Sequence, residues 1–361
     1  MNRTIKQFNR TMLLACTPFI GALIWLLSIN PSVTLSSDEM KPNLLSLSQH
    51  TMDTSLHEQT LSQLDNAAIT AEATQQAIHK QLQLYQNTNA AMKDIAHTAA
   101  TQAERPLKLY DQKITSKLGK PASTINSDKL RAQLFYSKES KFNSYLVKIK
   151  LKSDDAMTMV LGGNEPGKAR TTLEAVQQHK AAVGVNAGGF ADSKGKRYPL
   201  STTVIDGQYI NGGFEASYSD LFFVGLNSSN KLIGGKFASK QQLDKLNPKF
   251  GASFVPVLLK NGAAQTIPDK WKTSPARAPR TVIASYKDDQ LLILVTDGYN
   301  KAGSVGATLE EIQTLLKGYG VIDGYNLDGG GSSTLVFNGK VINHPSDGQM
   351  RKLPTHFLFF K

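Results

Sequence analysis

The sequence predicts an α+β domain, a mixed sheet with a few helices, preceded by a transmembrane helix and a helical stalk. Three observations lead there. Glycine is split: of 28 glycines in 361 residues, Gly21 alone precedes residue 105. Charge is split at the same point. Residues 1–104 carry 6 Lys and Arg against 8 Asp and Glu, and the other 257 residues carry 35 against 21. Finally, residues 12–29 contain no charged side chain and are almost wholly apolar. A glycine-poor stretch can run as continuous helix, whereas a glycine-rich one breaks into turns. With 40% apolar residues the chain can bury a core. Its one cysteine, Cys16, excludes a disulfide framework and a Cys-rich zinc site.

The elements follow in order. The 18 residues of 12–29 nearly span a hydrocarbon core. Arg3, Lys6 and Arg10 precede them with no acidic residue, which keeps the N-terminus cytoplasmic and exports the rest. This predicts an uncleaved signal-anchor over 1–30, and a single-pass protein whose main domain is periplasmic or on the cell surface. A cleaved signal peptide is the rival reading, but no small-x-small site precedes Asn30-Pro31. Residues 31–105 form the stalk. Between residues 44 and 104 there is neither Gly nor Pro, and Leu61, Leu64, Ala68, Ala71, Gln75, Ile78, Leu82, Tyr85, Asn89, Met92, Ala96 and Ala99 mark a heptad seam. Its many alanines would bury little area, so a solvated spacer is preferred over a homo-oligomeric coiled coil. Pro106 is expected to close the helix.

Residues 106–361 form the domain proper. Apolar or alternating runs predict strands at 144–150, 157–161, 182–185, 221–225, 254–259, 281–285, 291–296, 321–326, 334–337 and 356–360. Helical patterns occupy 171–180 and 308–317, the second opened by Thr308 and Glu311 at capping-box spacing.

Three segments carry chemistry. Val185-Asn186-Ala187-Gly188-Gly189-Phe190 follows a strand. Arg277-Ala278-Pro279-Arg280-Thr281 leads through two strands to Val295-Thr296-Asp297-Gly298. Most specific is Asn326-Leu327-Asp328-Gly329-Gly330-Gly331-Ser332-Ser333-Thr334. There a strand delivers Asn326 and Asp328 to its carboxyl end, and three glycines can expose successive N–H groups beside the hydroxyls of Ser332 and Ser333. Such a loop could cradle a phosphate or a sugar, with Asp328 as anchor. The competing reading is a tight turn that Asp328 merely caps. It is not a P-loop, because no Gly-Lys-Ser/Thr follows.

These segments in this order, with Phe254-Val255-Pro256-Val257-Leu258, Asn261-Gly262 and Asn343-His344-Pro345-Ser346…Arg351, resemble the phosphodiester glycosidase family from about residue 145 to 361. The family's first motif usually reads NGGFF, where this chain has Asn186-Ala187-Gly188-Gly189-Phe190. The resemblance implies hydrolysis of the bond between a sugar's anomeric carbon and a phosphodiester.

Roles consistent with that chemistry can be assigned. An oxocarbenium-like transition state and a departing phosphate both need stabilising. Arg280 is the first candidate for gripping phosphate and Arg351 the second. Asp297 and Asp328, each at a strand end before glycine, are the candidate carboxylates for activating water or stabilising the sugar cation. Asn186, Gly188, Gly189, Asn326, Gly329, Gly330, Gly331, Ser332 and Ser333 are expected around the substrate. His344 ranks below them. No cofactor is called for; a Ca²⁺ or Mg²⁺ ion, if used, would fall to Asp328 or Asp297. The histidines show no spacing of a transition-metal site. The expected partner is a phosphate-bearing glycan of an envelope or exopolysaccharide. Without basic–aromatic stacking motifs, nucleic acid is not expected. The alternative is a non-catalytic module that binds anionic glycans.

Overall fold

The computed structural model describes residues 54–163, 165–299 and 303–361. The anchor segment and the first part of the stalk lie outside them. No helix among the described residues is long and apolar enough to cross a membrane. The chain divides into two units, Met1–Ala91 and Met92–Lys361.

In the first unit the described residues belong to one helix, Thr54–Leu118, which continues into the second. Its apolar residues here stay in solvent: Leu64, Ile69 and Ile78 are each more than 60% exposed. Pro106 does not end this helix. Proline already holds a helical φ, so it costs one hydrogen bond and some crowding. The turns beyond it are anchored by packing. Ile114 and Leu118 are buried among core residues, and the buried Lys148 reaches Asp111 Oδ1 (2.7 Å) and Thr115 Oγ1 (2.6 Å).

The second unit is α+β, built on three sheets. The largest has eight strands in the order Ser123–Asn126, Leu130–Lys138, Asn143–Leu151, Leu291–Thr296, Thr281–Ser285, Asp323–Leu327, Val257–Lys260, Ala263–Ala264. A five-stranded sheet runs Leu232–Gly235, Phe222–Asn227, Pro248–Phe254, Thr203–Ile205, Gln208–Ile210. The other five-stranded sheet runs Lys340–Val341, Leu335–Phe337, Val183–Asn186, Thr355–Phe359, Met157–Leu161. Every pairing of these strands is antiparallel, so the sheets are not mixed in direction.

Alternation along the strands sorts side chains between two cores. Tyr145, Ile283, Ile293, Val295, Tyr325 and Leu327 point from the large sheet toward the smaller ones, meeting Val185, Phe250 and Phe357. Val282, Ala284, Leu292 and Leu294 point the other way, onto Leu309, Ile312 and Leu316 of the helix Leu309–Tyr319. A strand covered on both faces reads as a continuous apolar run, and Leu291–Thr296 is buried throughout. Helix Thr172–His179 covers the outer face of the third sheet through Ala175 and Val176. Both helices open with a complete capping box and close on a left-handed residue, Lys180 and Gly320.

The expected strands at 157–161, 281–285 and 291–296 form with those bounds. The run 254–259 does not form one strand. Pro256 has no N–H for the ladder, and the chain is split into Pro248–Phe254 in one sheet and Val257–Lys260 in another.

Candidate active site

The site lies where strand ends of two sheets meet. Val183–Asn186 and Asp323–Leu327 both end here, and Asp328 N–H donates to Ala187 O across the junction (3.2 Å). Thr281, at the start of its strand, pairs with both Leu327 and Val295. Asp297 therefore emerges two strands from Asp328, and Tyr145, paired with Val295, stands beside it.

Asn186 is fully buried and ties the glycine loop at both ends. Its Nδ2 donates to Asp328 O (2.5 Å), and its Oδ1 accepts from Thr334 N–H (3.0 Å) and Thr281 Oγ1 (3.1 Å). With the side chain wholly buried and three of its four hydrogen-bonding positions engaged within the protein, Asn186 shapes the loop. The loop itself is a 3₁₀ turn, Gly330–Ser332. Gly330 N–H donates to Pro279 O, Ser332 N–H to Gly329 O and Ser333 N–H to Gly330 O. Of the three glycine N–H groups expected to fan outward, that of Gly330 is spent within the protein, as are those of both serines. Gly330 holds a left-handed φ of 58°. A Cβ on Gly331 would strike the Asp347 carboxylate and the Arg351 guanidinium, and one on Gly188 would meet Ala252 and Ser253. These glycines allow close approach of chain to chain.

Asp328 differs from its neighbours. Its Oδ2 is buried and without a hydrogen-bond partner among the described residues. Burial pushes its carboxyl up to about 6, against the opposing pull of Ser332, Arg351 and Arg197. Arg351 donates to Ser332 Oγ (3.3 Å) and Asp347 Oδ2 (2.8 Å). Arg197 forms a bidentate pair with Asp192 (2.8 and 2.9 Å), donates to Lys352 O and lies over the Phe190 ring. It comes from the hairpin Phe190–Ser193/Lys196–Pro199, directly after the Gly188-Gly189 segment.

Asp297 is wholly buried and richly bonded. Its Oδ1 accepts His344 N–H (2.8 Å), and its Oδ2 accepts Tyr145 O–H (2.7 Å) and lies 3.2 Å from His344 Nδ1. Its carboxylate is thus engaged by protein donors.

Arg280 is also placed otherwise than expected. Thr281 points to Asn186 and Ser333, so by alternation Arg280 points to the opposite face. There its Nε donates to Ala307 O (3.0 Å) and its Nη2 to Pro275 O (3.0 Å) and Ala276 O (3.4 Å). Burial lowers its pKa to about 10. It clamps the backbones of two loops, leaving the charge facing Asp328 to Arg351 and Arg197. Asn326 donates to Val255 O (2.6 Å), and its buried Oδ1 has no partner among the described residues. Ser332 and Ser333 are both buried at the loop, with Ser333 Oγ in hydrogen-bond contact with Thr281 Oγ1 (3.0 Å).

The structure thus brings together Asp328, Ser332, Ser333, Arg351 and Asn186, with Asp297 two strands away. The Arg280 side chain lies on the reverse face, and by the same alternation so does Asn326, whose register partner Val282 packs there. Sequence reasoning missed Arg197 and Tyr145. A signal for Arg197 existed: the Lys194-Gly195 turn sets Asp192 opposite Arg197 in register.

The sequence pattern of the phosphodiester glycosidase family matches residues 179–360, which contain all these residues except Tyr145. The N-acetylglucosamine-1-phosphodiester α-N-acetylglucosaminidase of Mus musculus is 26% identical over 202 residues, covering 52% of this chain and 37% of that protein. An SPβ prophage-derived uncharacterized protein, YomE of Bacillus subtilis, is 26% identical over 180 residues, covering 49% of this chain and 28% of that protein. The chain therefore spans well under half the length of these relatives. Among solved structures, the catalytic domain of zebrafish N-acetylglucosamine-1-phosphodiester α-N-acetylglucosaminidase, auto-inhibited by its pro-peptide, has a TM-score of 0.51 at 21% identity. It covers 67% of this chain and 87% of that one, and shares the fold.

Proposed function

This chain belongs to the phosphodiester glycosidase family, and on that premise we propose that it hydrolyses the bond between a sugar's anomeric carbon and a phosphodiester. The observation that carries the reading is the Asp328 carboxyl: buried, with one oxygen unpartnered, and flanked by Ser332 and two guanidinium groups. Buried carboxylates are costly unless paired, and a ligand with positive character at one atom and negative charge at the next fits this arrangement. Ionised Asp328 would face the developing oxocarbenium ion. Arg351 and Arg197 would hold the departing phosphate, which leaves as a phosphomonoester without a strong acid.

The substrate is a glycosyl phosphodiester of an envelope or exopolysaccharide glycan. The excess of Lys and Arg after residue 105 supports an anionic polymer. The segment 12–29 anchors the chain in the membrane, with residues 106–361 outside the cytoplasm and the helix between them acting as spacer.

The test uses the full chain with a sugar-1-phosphodiester and follows release of reducing sugar and phosphomonoester. Wild type should release both, and Asp328→Ala should lose at least about 10³-fold in kcat. Equal release by the two would remove Asp328 from the site. Saturable binding of an anionic glycan with no product would replace the hydrolase by a binding module.

A further inference from the structure

We infer that His344 is the base that deprotonates the attacking water, and that Asp297 is the positioning residue behind it. This rests on the hydrolase reading and assigns a further residue to the same site. The geometry is that of an imidazole gripped at one edge and open at the other. Asp297 is wholly buried, yet the His344 side chain in contact with it is 73% exposed. Asp297 Oδ1 takes the His344 backbone N–H, which fixes the residue's register, and Oδ2 lies 3.2 Å from the ring Nδ1.

Tyr145 decides the tautomer. Burial and Asp297 push its hydroxyl well above the ordinary range, so it stays protonated and donates to Oδ2. Nδ1 must then carry a proton to approach the same carboxylate oxygen, which leaves the lone pair on Nε2, at the solvent edge. The segment that carries the ring is tied to the glycine loop. The preceding residue, Asn343, donates to Ser333 O (2.8 Å) and accepts Leu335 N–H (2.8 Å). Arg351, on the same segment, reaches Ser332. One short stretch therefore carries both a base and a cation to the Asp328 loop, meeting it at Ser333 and Ser332.

In the step proposed, water oxygen forms its bond to the anomeric carbon and gives a proton to His344 Nε2. The bond from that carbon to the phosphate oxygen breaks, and its electron pair leaves with the phosphomonoester. The imidazolium, stabilised by Asp297, returns the proton to solvent. Asp297 and Tyr145 face the ring, Tyr136 packs edge-on behind Tyr145, and Asp347 on the ring's own segment pairs with Arg351.

The experiment is a pH profile of the full chain on a sugar-1-phosphodiester. If Asp328 and His344 must both be unprotonated, log kcat/KM should rise with a slope of two at low pH. His344→Ala, at an exposed ring, should keep its thermal midpoint, lose about 10²- to 10³-fold in kcat with KM within about threefold, and show a slope of one. Added imidazole should restore part of the rate. Asp297→Asn should also lower kcat with KM within about threefold. His344→Ala with wild-type kcat and an unchanged profile would overturn the inference and leave the hydrolase reading standing. A wild type that turns over no sugar-1-phosphodiester would sink both.

Discussion

Asp328 and Asp297 hold the same place in the sequence, the first residue beyond a buried strand and directly before glycine. The fold treats them oppositely. Asp297 is enclosed by a backbone N–H, a tyrosine hydroxyl and an imidazole, while Asp328 keeps a buried oxygen without a partner. A saturated carboxylate orients its neighbours, and an unsaturated one keeps a hydrogen-bonding site to offer. The two arginines divide in the same way. Arg280 is spent on carbonyls, whereas Arg351 lies against the loop that Asp328 opens.

The sharpest way to break this contrast is Asp328→Asn. It should cost about 10³-fold or more in kcat, yet stabilise the protein in alkali. With its pKa raised to about 6, folded Asp328 keeps a proton that the unfolded chain releases near 4, so its contribution to stability falls as pH rises through that window. The variant should therefore exceed wild type by up to roughly 3 kcal/mol at pH 8 and match it near pH 4, read by denaturant melts. Arg280→Met should destabilise by about 2 kcal/mol, since it strips a donor from the buried Ala307 carbonyl and from the more exposed carbonyls of Pro275 and Ala276. Arg351→Met should leave the melt near wild type and lower kcat/KM by about 10- to 100-fold. If Arg280→Met instead folds normally and loses phosphate affinity, the two roles are reversed. Tyr145→Phe removes one of Asp297's donors and should cost about 1 kcal/mol of stability. Smallest is the effect of salt: steering by the basic surface predicts that kcat/KM falls a few-fold, by roughly threefold, from low salt to 0.5 M.

Much of this was legible in the sequence. Strong apolar runs such as 281–285 and 291–296 are buried on both faces, where packing and pattern agree. Capping residues Thr308 and Glu311 announced a helix start by local chemistry alone. Short edge strands such as Gln208–Ile210 escaped notice because three residues carry no period. At the site, motifs identified which strand ends matter, but residue type could not say which side chains remain open. Arg280 resembles a phosphate clamp until alternation places it behind the sheet. Asn186 resembles a sugar ligand until it is found wholly buried and bonded to Asp328 O and Thr334 N–H. Tyr145 lies 152 residues from Asp297 in the chain, and only strand pairing unites them.

Hydrolysis of a sugar-1-phosphodiester in ¹⁸O-labelled water distinguishes attack at carbon from attack at phosphorus. A carboxylate facing an oxocarbenium ion, with arginines on the leaving phosphate, predicts cleavage of the carbon–oxygen bond. The label should then appear on the anomeric hydroxyl of the released sugar, and the phosphomonoester should carry none. Label in the phosphate would contradict the glycosidase chemistry assigned to Asp328.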